Sequence, residues 1–307
     1  MRASNANGNM LNRANSAMKR QRYLIMGHQR SGTTLIHSIL KGHPRVAALN
    51  DELRIAPLFT RGVSTFTFGN DVPEEIEAGY LALFDAITAI RAAHKNALAH
   101  GAKVTCGSPD VARQLVESLQ RYFRDLKIIH VVRRDLVAQF GSEDSMRRTG
   151  VAHSWSRGYA QRRIHNVRFN PWVFEGYASR CLRTQGEVDT LRGTHAVLDV
   201  VYEDYLANPE SVHAQLFEFV GVPHSEVTWL EARKLMPPPD RYIDNYAALT
   251  NVLQQMRGDP PQLGGARLRA QVAFFLYRLR WVLASPRRMR ESLLRLARRQ
   301  RHSSSVA

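Results

Sequence analysis

The stretch from Tyr23 to Leu40 reads YLIMGHQRSGTTLIHSIL, and it decides the fold. Its first four residues are apolar and indicate a buried strand, and the glycines at 27 and 32 allow a tight turn. Apolar residues then recur at helical spacing from Thr33, and Gly42 and Pro44 predict the end of that helix. A strand, a glycine-rich turn and a helix in this order indicate a loop that binds phosphate at the helix N-terminus.

The rest of the chain repeats this alternation of strands and helices. Residues 128–132 (IIHVV) and 196–201 (AVLDVV) are apolar runs that predict two more buried strands. Ser108-Pro109 and Asn208-Pro209 each join a capping residue to proline, which is typical of helix starts. The pattern predicts an α/β fold in which helices flank a parallel β-sheet.

The loop has the spacing of the P-loop of nucleoside triphosphatases, with one departure. Thr33 stands where a P-loop carries the lysine that reaches the β- and γ-phosphates. Arg30 can supply a cation in its place. No aspartate at a strand end suits a magnesium ion, so we expect no metal. A kinase whose lysine is displaced remains an alternative.

Two segments resemble the donor site of sulfotransferases. Residues 30–35 (RSGTTL), followed by His43-Pro44, are similar to the family's 5′-phosphosulfate loop, and residues 131–142 (VVRRDLVAQFGS) are similar to its 3′-phosphate segment. The resemblance covers about residues 22–255. It implies a P-loop NTPase-like sulfotransferase fold, 3′-phosphoadenylyl sulfate (PAPS) as co-substrate and adenosine 3′,5′-bisphosphate as product.

The resemblance also assigns residues to the donor. It implies that the 5′-phosphosulfate is held by residues of the first loop: Arg30, Ser31, Gly32, Thr33 and Thr34. Arg134 and Ser142, eight residues apart, correspond to the pair that binds the 3′-phosphate, and an arginine fork suits that dianion. Arg133 is either a second phosphate ligand or a solvated residue.

Sulfuryl transfer also needs a cation and a base for the acceptor proton. Arg30 is the candidate for the cation. His28 is an alternative donor in place of a second cation, and it ranks below Glu52 as a base. Alignment with tyrosylprotein sulfotransferases places either Asp51 or Glu52 at the base, and Glu52 is favoured. Gly107 stands where many relatives carry a lysine, and Lys103 lies four residues upstream as a substitute.

The net charge of +16 lies mostly at the two ends of the chain. Residues 1–22 carry five basic residues and no acid, residues 262–307 carry a net charge of +10, and +1 remains for residues 23–261. We therefore predict a disordered basic leader (1–22), a sulfotransferase domain (23–257) and a basic, helical C-terminal extension (258–307). The position of the charge disfavours specific binding to nucleic acid.

The C-terminal extension has two interpretations. It is either an amphipathic helix that binds an anionic membrane surface, or a helix that packs on the domain and leaves its terminal arginines in solvent. No apolar segment resembles a signal peptide or a membrane span, so we expect a cytoplasmic protein, with membrane association if the first interpretation holds. The Arg-Arg-Asp-Leu segment at 133–136 is most similar to bacterial enzymes and favours a carbohydrate or glycolipid acceptor. A non-enzymatic protein that binds membranes or nucleic acid through its basic ends is the other alternative.

Overall fold

The computed structural model describes residues 21–48, 96–149, 166–225, 237–258 and 265–283. Within these ranges, five parallel strands form one sheet in the order β2-β3-β1-β4-β5. The strands are β1 (Gln21–His28), β2 (Val46–Ala48), β3 (Ala99–Cys106), β4 (Lys127–Val132) and β5 (Val197–Val201). The predicted α/β fold with a parallel sheet is confirmed.

The helices of the described ranges are α1 (Thr33–Gly42), α2 (Pro109–Tyr122), α3 (Leu136–Thr149), α4 (Pro171–Asp189), α5 (Tyr202–Ala207), α6 (Pro209–Val220), α7 (Tyr246–Gly258) and α8 (Gly265–Leu283). Both predicted caps are present. Ser108 Oγ accepts from the Val111 amide at 3.3 Å, and Asn208 Oδ1 accepts from the Ser211 amide at 3.1 Å. These contacts satisfy amides that have no partner within a helix.

All three predicted strands form, and the sheet adds two that the sequence pattern did not predict. The longer addition is β3, in which His100 and Lys103 interrupt the run of small and apolar residues. Both side chains are nevertheless buried, at 3% and 6% exposure. Strand β3 lies between β1 and β2, and α1 and α2 pack on its two faces, so its burial follows from its place in the sheet rather than from its composition.

The central strand β1 separates two hydrophobic cores. Tyr23 and Ile25 face the core that includes Ile36 of α1, whereas Leu24 and Met26 face the core that includes Leu115 of α2. Helices α1 and α2 therefore cover opposite faces of the sheet. The chain leaves β1 toward β2 and β3 on one side and later returns to β4 on the other. The carboxyl end of β1 is thus a topological switch point, where open parallel sheets bind ligands.

A third core joins α3, α4, α7 and α8, and it includes Phe140, Tyr177, Leu249 and Phe274. Helix α8 is the described part of the predicted C-terminal extension, and its helical structure is confirmed. One face of α8 packs on α4, as the second interpretation of the extension predicts: Phe274 is 8% exposed, and its ring centroid lies 6.0 Å from that of Tyr177. In the described ranges, no helix combines the length and the hydropathy that crossing a membrane requires.

Candidate active site

The loop between β1 and α1 has an unusual backbone. Arg30 has φ 65° and Gly32 has φ 109°, and both values lie in the left-handed region that side chains disfavour. A Cβ atom on Gly32 would lie 2.7 Å from Cδ2 of Tyr202, so the position has neither the backbone nor the space for another residue. Left-handed residues before a helix turn successive amides toward one point, which forms an anion-binding concavity.

Two polar side chains of this loop are buried. His28 is 5% exposed and Ser31 is 2% exposed. Within the described part of the chain, neither His28 Nε2 nor Ser31 Oγ has a hydrogen-bond partner. Burial also lowers the pKa of His28, which favours its neutral form. An unpartnered buried polar atom costs about 1–3 kcal/mol, and such atoms at a loop of this shape point to a polar ligand.

Two guanidinium groups meet at the loop. Arg30 Nε donates to Ser142 Oγ at 3.1 Å, and Arg133 Nη1 donates to the Arg30 carbonyl at 3.4 Å. Burial lowers the pKa of Arg30, and the positive charge of Arg133 lowers it further. The Arg133 guanidinium also lies 4.8 Å from the centroid of the Tyr202 ring, the ring that covers Gly32. This concentration of positive charge at a strand end favours an anion.

Arg134 has a different environment from Arg133. Its side chain is 56% exposed and forms an ion pair with Asp204 of α5. Its backbone amide donates to Glu203 Oε2 at 3.0 Å, and the Asp135 amide donates to Glu203 Oε1 at 3.1 Å. The structure therefore brings Ser142 to Arg30, while Arg134, the residue predicted to act with Ser142, pairs with α5.

Asp135 holds the start of α3 and joins it to α7. Its Oδ1 accepts from the Ala138 amide at 2.8 Å, and its Oδ2 accepts from the Tyr246 hydroxyl at 3.0 Å. Burial, together with the charge of Asp135, raises the pKa of Tyr246 to about 12. Helix α7 thereby fixes the junction that carries Arg133 and Arg134.

Lys103 lies close to the loop, next to one of the predicted donor ligands. Its Nζ donates to Thr34 Oγ1 at 2.9 Å. The register of the sheet places Lys103 beside Ile25, on the face that α1 covers. The sequence suggested Lys103 as a substitute cation, and the structure brings that cation to the first turn of α1. Thr33, the other threonine of the loop, is buried at 4% exposure.

Sequence reasoning missed two residues that support the site. Gln139 is 1% exposed, and its Nε2 donates to the Gln29 carbonyl of the loop at 2.7 Å. Arg180 Nε donates to the Gly107 carbonyl at 2.9 Å, and burial lowers the pKa of Arg180 to about 10. Gln139 lies three residues before Ser142 in the segment 131–142, which was a usable signal, whereas nothing in the sequence connects Arg180 with Gly107. Glu52 and Asp51, the candidate bases, lie outside the described residues.

Among the described residues, His130, Asp189 and Asp199 form a cluster of metal-ligating types. His130 Nδ1 lies 3.1 Å from Asp199 Oδ1, and this hydrogen bond is the main cause that lowers the pKa of Asp199. Arg192 donates to both carboxylates, at 3.0 Å and 2.6 Å. A guanidinium therefore already bridges the two carboxylates, and the cluster is an ion-pair network.

Comparison with known proteins identifies a family. Residues 23–226 match the profile of the Sulfotransferase family. The chain is similar to the solved sulfotransferase domain of the Synechococcus PCC 7002 olefin synthase, with 18% identity, a TM-score of 0.44, and coverage of 85% of this chain and 95% of that one. It is also similar to a sulfotransferase from Alicyclobacillus acidocaldarius, with 18% identity, a TM-score of 0.44, and coverage of 81% and 99%. No curated protein matches the chain.

Proposed function

The chain belongs to the sulfotransferase family, and we propose that it transfers a sulfuryl group from PAPS to a hydroxyl of a carbohydrate or glycolipid. The observation that carries the proposal is the loop of residues 27–34. Two guanidinium groups, a buried hydroxyl and a buried imidazole meet there at the switch point of the sheet. The donor chemistry fits these groups, since a phosphosulfate is an anion with many acceptor oxygens.

The donor would lie across the carboxyl ends of β1 and β4. We assign the 5′-phosphosulfate to the loop amides and to Arg30, Ser31 and Thr34, and the 3′-phosphate to Arg134 and Ser142. Arg134 can turn to a phosphate because its side chain is exposed and its pair with Asp204 is held only at the surface. Arg133 supports the loop by bonding the Arg30 carbonyl.

The reaction is a substitution at sulfur. The acceptor oxygen forms a bond to sulfur while the bond between sulfur and the bridging phosphate oxygen breaks, and that electron pair leaves with adenosine 3′,5′-bisphosphate. We assign to Arg30, with Lys103 beside Thr34, the stabilisation of the negative charge that develops on the leaving phosphate; their contacts with Ser142 and Thr34 support this assignment. The acceptor proton passes to a carboxylate, for which Glu52 is the first candidate and Asp51 the second.

The assignment of the base is tested by replacing each carboxylate separately. Glu52→Gln is expected to keep nucleotide affinity and to lower kcat by about 10²-fold, the usual size for loss of a general base. Asp51→Asn is the matched control and is expected to retain most of the turnover. The reverse result assigns the role to Asp51.

The donor itself is tested by calorimetry on the full chain. We expect adenosine 3′,5′-bisphosphate to bind at least about 10-fold more tightly than AMP, because one charge-assisted phosphate contact contributes about 1.5–3 kcal/mol. Binding should not require magnesium. A preference for ATP with magnesium would overturn the proposal in favour of a kinase whose lysine is displaced.

A further inference from the structure

Helix α8 has an inner face that packs tightly on α4. Ala270 and Phe274 are 2% and 8% exposed, and a Cβ atom on Gly176 of α4 would lie 2.5 Å from the Ala270 carbonyl oxygen. The Tyr277 hydroxyl donates to Asp144 Oδ1 at 2.7 Å. At 100° per residue, these three α8 side chains lie within about 60° of one another. One face of the helix is therefore packed against the domain.

The opposite face of α8 is apolar and exposed. Its five large side chains are Leu268 (64% exposed), Val272 (47%), Phe275 (63%), Leu276 (55%) and Leu279 (38%). They recur at the spacing of a single helical stripe, and the stripe is centred about 180° from Ala270. Elsewhere in the described ranges the exposed large hydrophobic residues are Trp172 and Leu206. Most of the exposed large apolar side chains of the described chain thus lie on this outer face.

Arginines border the outer face on both sides. Arg269 and Arg280 are exposed and lie along one edge of the stripe, and Arg278 lies along the other edge. The sequence that follows α8 continues the positive charge: residues 287–301 contain seven arginines and one acid, Glu291. An apolar stripe between basic edges is the pattern of a helix that lies in the plane of a membrane interface.

We propose that the outer face of α8 docks on an anionic membrane surface. The positive charge at the edges of the stripe favours an anionic membrane surface over the other partners that this face can have. A second copy of the chain would bring the same arginines against one another, and residues 284–307 carry the same sign of charge as the stripe's edges. Anionic headgroups attract the arginines, while the five apolar side chains enter the boundary of the acyl chains.

Docking through α8 leaves the packing of α4 on the domain unchanged, because the inner face stays in place. The same helix that completes the third core would then hold the enzyme at a lipid surface. This inference does not depend on sulfuryl transfer. It adds a lipid-binding surface to the domain whatever hydroxyl the enzyme uses.

The test is flotation of the full chain with phosphatidylcholine vesicles, with and without phosphatidylglycerol. The test variant is Phe275→Ser with Leu276→Ser, and the matched control is Trp172→Ser with Leu206→Ser, which removes two exposed apolar side chains outside α8. We expect the original protein and the control to float with anionic vesicles only, and the test variant to lose at least about 10-fold in partitioning, because two apolar anchors are removed. Arg269→Gln with Arg280→Gln should weaken flotation and reduce its dependence on salt.

Three results would overturn the proposal. Equal flotation of the test variant and the control would assign binding to the basic segment 287–301 alone. A dimer in solution that dissociates in the test variant would assign the outer face to a second copy. A clear drop in thermal stability of the test variant, without loss of flotation, would show that another part of this chain covers the stripe. Affinity for adenosine 3′,5′-bisphosphate should stay unchanged in every variant, which separates this test from that of the donor site.

Discussion

The ends of two adjacent strands, β1 and β4, use the same residue types in opposite ways. At the end of β1, Ser31 is buried and its hydroxyl has no partner among the described residues, and Arg30 is partly buried. At the end of β4, Arg134 is exposed and already paired with Asp204. Polar groups that are buried and unpaired destabilise the folded chain, and an anion that binds to them stabilises it. We therefore predict that the β1 loop contributes more to donor affinity than the β4 junction does.

The strongest way to break this comparison is Gly32→Ala. The substitution forces a side chain into a left-handed backbone and against Tyr202, the ring that also covers the Arg133 guanidinium. Strain of this kind costs about 1–3 kcal/mol, and with displacement of the ring we expect kcat/KM to fall by about 10³-fold. Gly186→Ala in α4 is the control, because its added Cβ meets no described atom within 4 Å beyond its chain neighbours and the backbone of its own helix. A similar loss of kcat/KM in both variants would show that the conformation of the loop does not control activity.

Removal of the Lys103 cation is expected to have the next largest effect. Lys103→Met keeps most of the length of the side chain and deletes the donor to Thr34. We expect kcat to fall by about 10²-fold, the usual size for one charge-stabilising donor, with a smaller change in bisphosphate affinity. Lys41→Met on the exposed side of α1 should leave both quantities unchanged. A loss confined to thermal stability would make Lys103 a structural residue only.

The neighbours Arg133 and Arg134 sharpen the comparison directly. Arg133→Ala removes the bond to the Arg30 carbonyl, so we expect AMP and adenosine 3′,5′-bisphosphate both to bind about 30-fold more weakly. Arg134→Ala removes an exposed group. We expect the bisphosphate to bind about 10-fold more weakly and the affinity for AMP to change little. Calorimetry with both nucleotides separates the two roles. If Arg134→Ala weakens the binding of AMP as much as that of the bisphosphate, the assignment of Arg134 to the 3′-phosphate is wrong.

The smallest effect concerns pH. Burial lowers the pKa of both His28 and His195 in the folded chain. The unfolded chain therefore binds more protons below about pH 6.5, and the free energy of unfolding should decrease as the pH falls, by at most about 1.4 kcal/mol per pH unit for each histidine. The free energy of unfolding, measured by urea titration between about pH 7 and 5.5, should depend less steeply on pH in both His28→Gln and His195→Gln.

Only His28→Gln should also change bisphosphate affinity. His195 forms its hydrogen bond with the Phe123 carbonyl, and neither residue belongs to the loop. An unchanged pH slope in His28→Gln would show that His28 does not stay neutral in the folded chain. An unchanged affinity would remove His28 from the donor site and leave Arg30, Ser31 and Thr34 as the side chains assigned to the 5′-phosphosulfate.

The sequence by itself determined the fold class, three of the five strands in the described ranges, two helix caps and the loop at the end of β1. These features depend on residues close together in the chain, where apolar runs, glycines and capping residues act locally. The strand β3 escaped prediction because His100 and Lys103 break its apolar pattern, and only its interior place in the sheet, under helices on both faces, explains why they are buried.

The tertiary structure alone decided which cations share the loop. Arg30 and Ser142 are 112 residues apart, and Lys103 and Thr34 are 69 apart, so their contacts depend on the order of the strands. Arg133 and Arg134 are adjacent and chemically identical, yet one turns toward the loop and the other toward Asp204, because the chain bends between β4 and α3. The outer face of α8 follows the same rule: the sequence showed an amphipathic basic helix, and packing on α4 decided which apolar side chains remained exposed.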